Sequence, residues 1–257
     1  MNKKGLIIVS VVFIGLALCG LVVKFSDSKV IVDDNVMQKD SVNKERFNKI
    51  IDEYKNAYND RNNFFVQKGS GKSFSSEELH KIYPNVNAYS FNAYYSLAYC
   101  FYDIDKNGED ELIISGLPLI TGGGNNMRRI LDIYLWNGIE PEKLSKYDSS
   151  KYFVSYGIYD NDIITVDTTS DENNMYGYRY EYITQFFKVS KDGRSFEKVG
   201  DYVYAFNDIV VGDTDVVYID VNTNEKFDEE TYRKRIPTAD AKVISDASLL
   251  WREIESK

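Results

Sequence analysis

Phe101-Tyr102-Asp103-Ile104-Asp105-Lys106-Asn107-Gly108-Glu109-Asp110-Glu111-Leu112-Ile113-Ile114 is the stretch on which the fold turns. Before it, Leu97, Tyr99 and Phe101 alternate with Ala98, Cys100 and Tyr102, a period-two pattern rich in aromatic residues. After it, Glu111 to Ser115 is a short apolar run of strand type. Between the two, oxygen-bearing side chains fall at positions 1, 3, 5 and 9 of a nine-residue loop, with glycine at position 6. The spacing predicts strand, tight acidic loop, strand.

That loop is also the candidate site. A hard cation such as Ca²⁺ takes six to eight oxygens at about 2.3–2.6 Å. Acidic or amide side chains at every second position of a curled loop can all point inward, which nominates Asp103, Asp105, Asn107 and Glu111. Gly108 permits the sharp turn, and the carbonyl of Glu109 can add a ligand. Five acidic residues within nine positions also repel one another unless a cation lies between them. A plain acidic turn is the alternative, because Asp, Asn and Gly are turn residues in any case. A helix–loop–helix calcium site needs a bidentate Glu at position 12, and that position is Ile114. The segment instead resembles the strand–loop–strand calcium loops of FG-GAP repeats in integrin propellers, Asp-x-Asp-x-Asp-Gly-x-x-Asp. Asn107 and Glu111 replace two of the aspartates, and both keep an oxygen donor. One copy is present, so no propeller is implied. Asp220-Val-Asn222-Thr-Asn224-Glu225 shows a similar alternation without the glycine and reads as a hairpin turn, with Asp228 capping a helix.

Outward from the loop, Asp40 or Ser41 is expected to cap a helix to about Phe65, with Phe47, Ile50, Ile51, Tyr54 and Tyr58 on one apolar face. Gly69-Ser70-Gly71-Lys72-Ser73 has the end of a phosphate-loop motif, but its first glycine would be residue 66, which is Val66, so nucleotide binding is rejected. A short helix begins at Ser75 or Ser76 and closes before Pro84. His80 lies on it without a matching ligand and reads as a solvated surface residue. Strands are expected at Ile130–Trp136 and Leu144–Tyr147 around Asn137-Gly138, and at Tyr178–Val189 and Phe196–Val203 around Asp192-Gly193. Ile163–Val166, Ile209–Val211 and Val216–Ile219 add three more. Asp228 opens a helix to about Ile236, and Ala239–Glu255 is expected to form a last one. The class is therefore α+β: N-terminal helices on a mainly antiparallel sheet, then a C-terminal helix. The 21 tyrosines read first as a sheet face and second as a glycan platform.

Gly5 to Val23 carries no charge over nineteen residues, long enough as a helix to cross the hydrocarbon core of a bilayer. Lys3 and Lys4 before it favour a cytoplasmic N-terminus. Residues 1–24 are thus expected to be a transmembrane signal anchor, 25–40 a linker and 41–257 an extracytoplasmic domain. Leu16-Ala17-Leu18-Cys19 also looks like a lipobox, which makes a lipid anchor at Cys19 the alternative, although Leu18 stands where a small residue is usual. Beyond the anchor 28 basic residues face 40 acidic ones, a surface that attracts cations and repels nucleic acid. Cys100 is then the sole exported cysteine, so no disulfide forms within the domain, and it reads as a small core residue. With one histidine and two cysteines, zinc, iron–sulfur and histidine-based catalytic centres lose their ligands.

Taken together, the anchor, the N-terminal helix, the acidic loop with its flanking strands, the Asn-Gly hairpin and the Asp228-Glu-Glu-Thr-Tyr232 helix resemble a broad group of surface proteins and lipoproteins of Gram-positive bacteria that has no agreed activity. The resemblance implies location and fold. The expected role is a membrane-anchored domain with a structural Ca²⁺ site and a non-catalytic interaction with a cell-surface or cell-wall partner. The alternatives are a glycan-active hydrolase with paired carboxylates and a glycan-binding module.

Overall fold

Strands β1 (Tyr94–Tyr102) and β2 (Glu111–Pro118) pair antiparallel across the acidic loop, with Tyr102 opposite Glu111. The computed structural model describes residues 34–68, 76–86, 94–118, 128–144, 154–170, 180–206, 216–244 and 248–255. The chain divides into two units, Met1–Ser41 and Val42–Lys257. Within the second, the β1–β2 hairpin belongs to an antiparallel sheet with eleven strands among the described residues, which makes the protein α+β and sheet-dominated.

The sheet continues through β3 (Arg129–Trp136), β5 (Val154–Ile158), β6 (Ile164–Ser170), β7 (Tyr180–Val189), β8 (Phe196–Phe206), β9 (Val217–Asp220) and β10 (Lys226–Phe227). β4 (Pro141–Lys143) pairs with β3 alone, and β11 (Arg252–Ile254) closes the far side against β1. Helix α1 (Asp34–Lys68) lays Phe47, Ile50, Tyr54 and Ala57 on Leu97, Leu112, Ile114 and Tyr134 of β1–β3. Helix α2 (Ser76–Ile82) adds Leu79 to the same cluster. A second cluster runs along the opposite face from Cys100, Ile113 and Ile133 to Ile158, Ile164 and Val166. Ile113 and Ile114 are both fully buried, so β2 is covered on both faces and its sequence runs apolar without alternation.

Three expectations need correction. Helix α1 starts at Asp34, not at Asp40 or Ser41, so part of the expected linker is helical. No Gly or Pro interrupts residues 34–68, and nothing there stops the helix from extending backward. Asn137-Gly138 turns the chain sooner than expected. Trp136 pairs with Pro141 across a four-residue loop in which Asn137 Oδ1 accepts the N–H groups of Ile139 and Glu140. Only Gly138 there takes a positive φ, 97°. The return strand begins at Pro141, before the expected Leu144, and of the expected Leu144–Tyr147 only Leu144 lies within the described residues. The C-terminal helix over Ala239–Glu255 is replaced by an extended strap and β11. Leu249 and Ile254 are buried there while Val243 and Leu250 stand 61% and 82% exposed, so the segment buries its apolar residues singly along the sheet and not as one helical stripe. Pairing Arg252–Ile254 with Leu97–Tyr99 satisfies backbone groups on the outer edge of β1.

β5 and β10 lie outside the expected strands, whereas the caps and turns follow their signals. Asp228 Oδ1 accepts the Thr231 N–H and caps α3 (Glu229–Arg235). Asp220 Oδ1 accepts from Asn222 and Thr223 in the β9–β10 turn. Val189 pairs with Phe196 across the loop that holds Gly193, φ 71°. Among the described residues no helix is long and apolar enough to cross a membrane. The expected anchor at residues 5–23, Cys19, the Gly69–Ser73 segment and the strand at Ile209–Val211 lie outside the described residues.

Candidate metal centre

Residues 103–111 form a tight loop held by its own side chains. Asp103 Oδ2 accepts the Gly108 N–H (2.8 Å), Asp105 Oδ1 the Asn107 N–H (3.2 Å) and Asn107 Oδ1 the Glu109 N–H (2.6 Å). The chain passes through the left-handed region at Lys106 (φ 59°) and again at Gly108 (φ 93°). Ile104, 1% exposed, plugs the loop into the second apolar cluster, and its N–H donates to Glu111 Oε2 (2.8 Å).

This folding brings oxygens of Asp103, Asp105 and Glu111 within 4.8 Å of one another. A common centre then lies within about 2.8 Å of all three, close to the 2.3–2.6 Å at which oxygens coordinate a hard divalent cation. A group of three carboxylates in this arrangement can hold a metal ion. Two observations mark the cluster as more than a solvated acidic turn. Asp103 Oδ1 is buried with no hydrogen-bond partner, although buried polar oxygens are ordinarily satisfied. Glu111 is 2% exposed, and burial, followed by the charges of Asp105 and Asp103, pushes its carboxyl up to about 8 against the pull of the Ile104 N–H. Burial first, and then Asp103, raises Asp105 as well.

The other two nominated residues stand differently. The Asn107 amide donates through Nδ2 to Asp105 Oδ2 (2.9 Å), so it braces one carboxylate of the cluster. The Glu109 side chain points outward to Arg46 of α1 (3.4 Å), which leaves its backbone carbonyl as the only atom it can offer. Further contacts fix the loop from outside. Asn43 of α1, 2% exposed, donates to Asp110 (2.7 Å), and Lys106 bridges to Asp162 in the β5–β6 turn (2.6 Å). A Cβ at Gly193 would lie 2.8 Å from Asn107 Nδ2, so the β7–β8 loop passes this close only because residue 193 is glycine.

A second polar centre escaped the motif reading. Asp132 on β3 is wholly buried and accepts from the Tyr54 hydroxyl of α1, the Tyr156 hydroxyl of β5 (3.1 Å) and Lys143 Nζ of β4 (2.9 Å). Burial pushes its carboxyl up, while Lys143 and the two tyrosines pull it back. The available signal was one aspartate inside the apolar run Ile130-Leu-Asp-Ile-Tyr-Leu-Trp136. Three donors from α1, β4 and β5 converge on one buried carboxylate, the geometry of a structural tie.

His80 is half-buried instead of solvated, with Nδ1 enclosed and lacking a hydrogen-bond partner, because the neighbouring Leu79 draws α2 into the core. Cys100 is a fully buried free thiol. The β7–β9 tyrosines pack on one another: Tyr218 stacks on Tyr232 of α3 at 4.3 Å, and Tyr204 meets Tyr182 and Tyr218 at interplanar angles of 48° and 51°. No family model, curated protein or solved structure matches the chain.

Proposed function

We propose that this protein is a membrane-anchored extracytoplasmic domain that binds Ca²⁺ structurally and serves a non-catalytic interaction role at the cell surface. The observation that carries the reading is the trio Asp103, Asp105 and Glu111, which gathers charge around one buried oxygen left without a hydrogen bond. All the donors are oxygens, the set of a hard cation, and an irregular loop of carboxylates and carbonyls suits calcium better than the strict octahedron of magnesium. A cation bound only by the folded state stabilises it by about 2.7 kcal/mol at a hundred times Kd. The membrane part of the reading rests on the uncharged run from Gly5 to Val23.

A glycosidase needs an acid within reach of a glycosidic oxygen. The carboxyl held near 8 belongs to Glu111, which is 2% exposed and turned into its own loop. A glycan platform needs rings lying side by side in one plane, whereas the tyrosines here cover one another.

Thermal melting of the full chain in detergent, with calcium and with chelator, tests the reading. Calcium should raise the wild-type melting temperature by several degrees, and Asp105→Ala should remove most of that rise. Equal melting temperatures for the wild type in both conditions would rule out a structural calcium site.

A further inference from the structure

β5 is paired along its whole length with β6, but its other edge meets β3 only at Tyr156↔Ile130. Two residues further on, Ile158 accepts the N–H of Ile244, and Val243 bridges Tyr159, so the C-terminal strap takes over that edge. Between the end of β3 and the strap a cleft of about 490 Å³ opens over residues 155–158. Its apolar walls come from Ile130, Ile244, Leu249 and Trp251. Volume and lining match small-molecule pockets, which are mostly apolar with a few placed polar groups.

The polar side chains of the cleft are Ser155, Tyr156 and two cations, Arg128 and Arg129. The Arg128 side chain is 9% exposed and ion-paired with Glu253 of β11, which fixes it as part of the wall. Arg129 is exposed, and among the described residues its guanidinium makes no ion pair or hydrogen bond. No described carboxylate lines the cleft, although the chain carries a net charge of −9. A guanidinium free of an ion pair beside apolar walls, in an acidic protein, is complementary to an anion with an apolar body.

We propose that this cleft binds a small organic anion: its carboxylate or sulfonate sits on Arg129, and its ring or short alkyl chain lies against Trp251 and Leu249. The planar fork of arginine suits a carboxylate bidentately. The site is separate from the acidic loop and does not depend on the calcium reading.

The probe is 4-iodobenzoate, whose iodine quenches indole fluorescence on contact, with uncharged 4-iodobenzamide as its neutral counterpart. The full chain is placed in nanodiscs and carries Trp136→Phe, so that Trp251 is the sole reporter. A parallel calorimetric titration of the wild type removes any dependence on that substitution. Saturable one-to-one binding of the benzoate is expected, at least tenfold weaker for the benzamide and for Arg129→Ala, and largely retained in Arg129→Lys. Binding should be the same in calcium and in chelator. Three results would each overturn the proposal: equal binding of the benzamide, unchanged binding in Arg129→Ala, or no saturation below about 10 mM, weaker than ordinary specific recognition.

Discussion

Glu111 titrates near 4.5 when exposed and near 8 in the folded, metal-free loop. Between those values the folded state holds a proton that the unfolded chain has released. Stability without metal must therefore fall as pH rises from about 4.5 to about 8, and level off above. At 1.36 kcal/mol per unit, the loss is on the order of 3–5 kcal/mol. Asp105 and Asp132 are also raised and slope the same way, so the difference between variants isolates Glu111. In chelator the melting temperature of the wild type should drop from pH 5 to pH 8, and Glu111→Gln, which mimics the protonated acid, should flatten most of that drop. Saturating calcium should flatten it too, because the cation replaces the proton and is bound more tightly as pH rises. A melting profile with the same slope in the wild type and the Gln variant would show that Glu111 does not carry the loop's charge strain.

Among the elements, α1 reaches the sheet through both apolar and polar contacts. Its apolar stripe was legible because Phe47, Ile50, Tyr54 and the fully buried Ala57 follow the helical period. Its polar contacts were not: Asn43, Arg46 and Tyr54 find Asp110, Glu109 and Asp132 across 63 to 78 positions, and no local pattern encodes such distances. The Asp132 tie makes a graded prediction. Tyr54→Phe leaves Asp132 with Lys143 and Tyr156, and should cost about 1–3 kcal/mol. Lys143→Met strands a buried carboxylate without its cation, and should cost about 3–5 kcal/mol. Urea unfolding curves give both values, and the lysine substitution should be the more damaging. The reverse order would mean that Asp132 is protonated in the folded protein and that the tie is a neutral hydrogen-bond network.

On the scale of the whole molecule, the acidic loop and its hairpin were readable because the turn hydrogen bonds and strand pairing that form them lie within the hairpin itself, although Asn43, Asp162 and Gly193 brace the loop from afar. The closing of the sheet was not, since β11 joins β1 and Ser96 bonds Glu253 from 157 positions away. The apolar residues of 239–255 fit a helix about as well as a strand, and only the open edge of β1 decides between them. That edge gives the last prediction. Removing residues 252–257 takes away the partner of Leu97–Tyr99 and uncovers the cluster that Ile254, 4% exposed, helps to seal. Burial of an isoleucine side chain is worth about 1.5–3 kcal/mol, so the truncated chain should be less stable by at least that amount. It should also associate, because an unpaired strand edge offers N–H and C=O groups to a second copy. Sedimentation velocity over a tenfold concentration range should show higher species in the truncated chain beyond those of the wild type. A truncated chain that stays monomeric and melts like the wild type would mean that β1 needs no partner there, and that β11 is incidental to the fold.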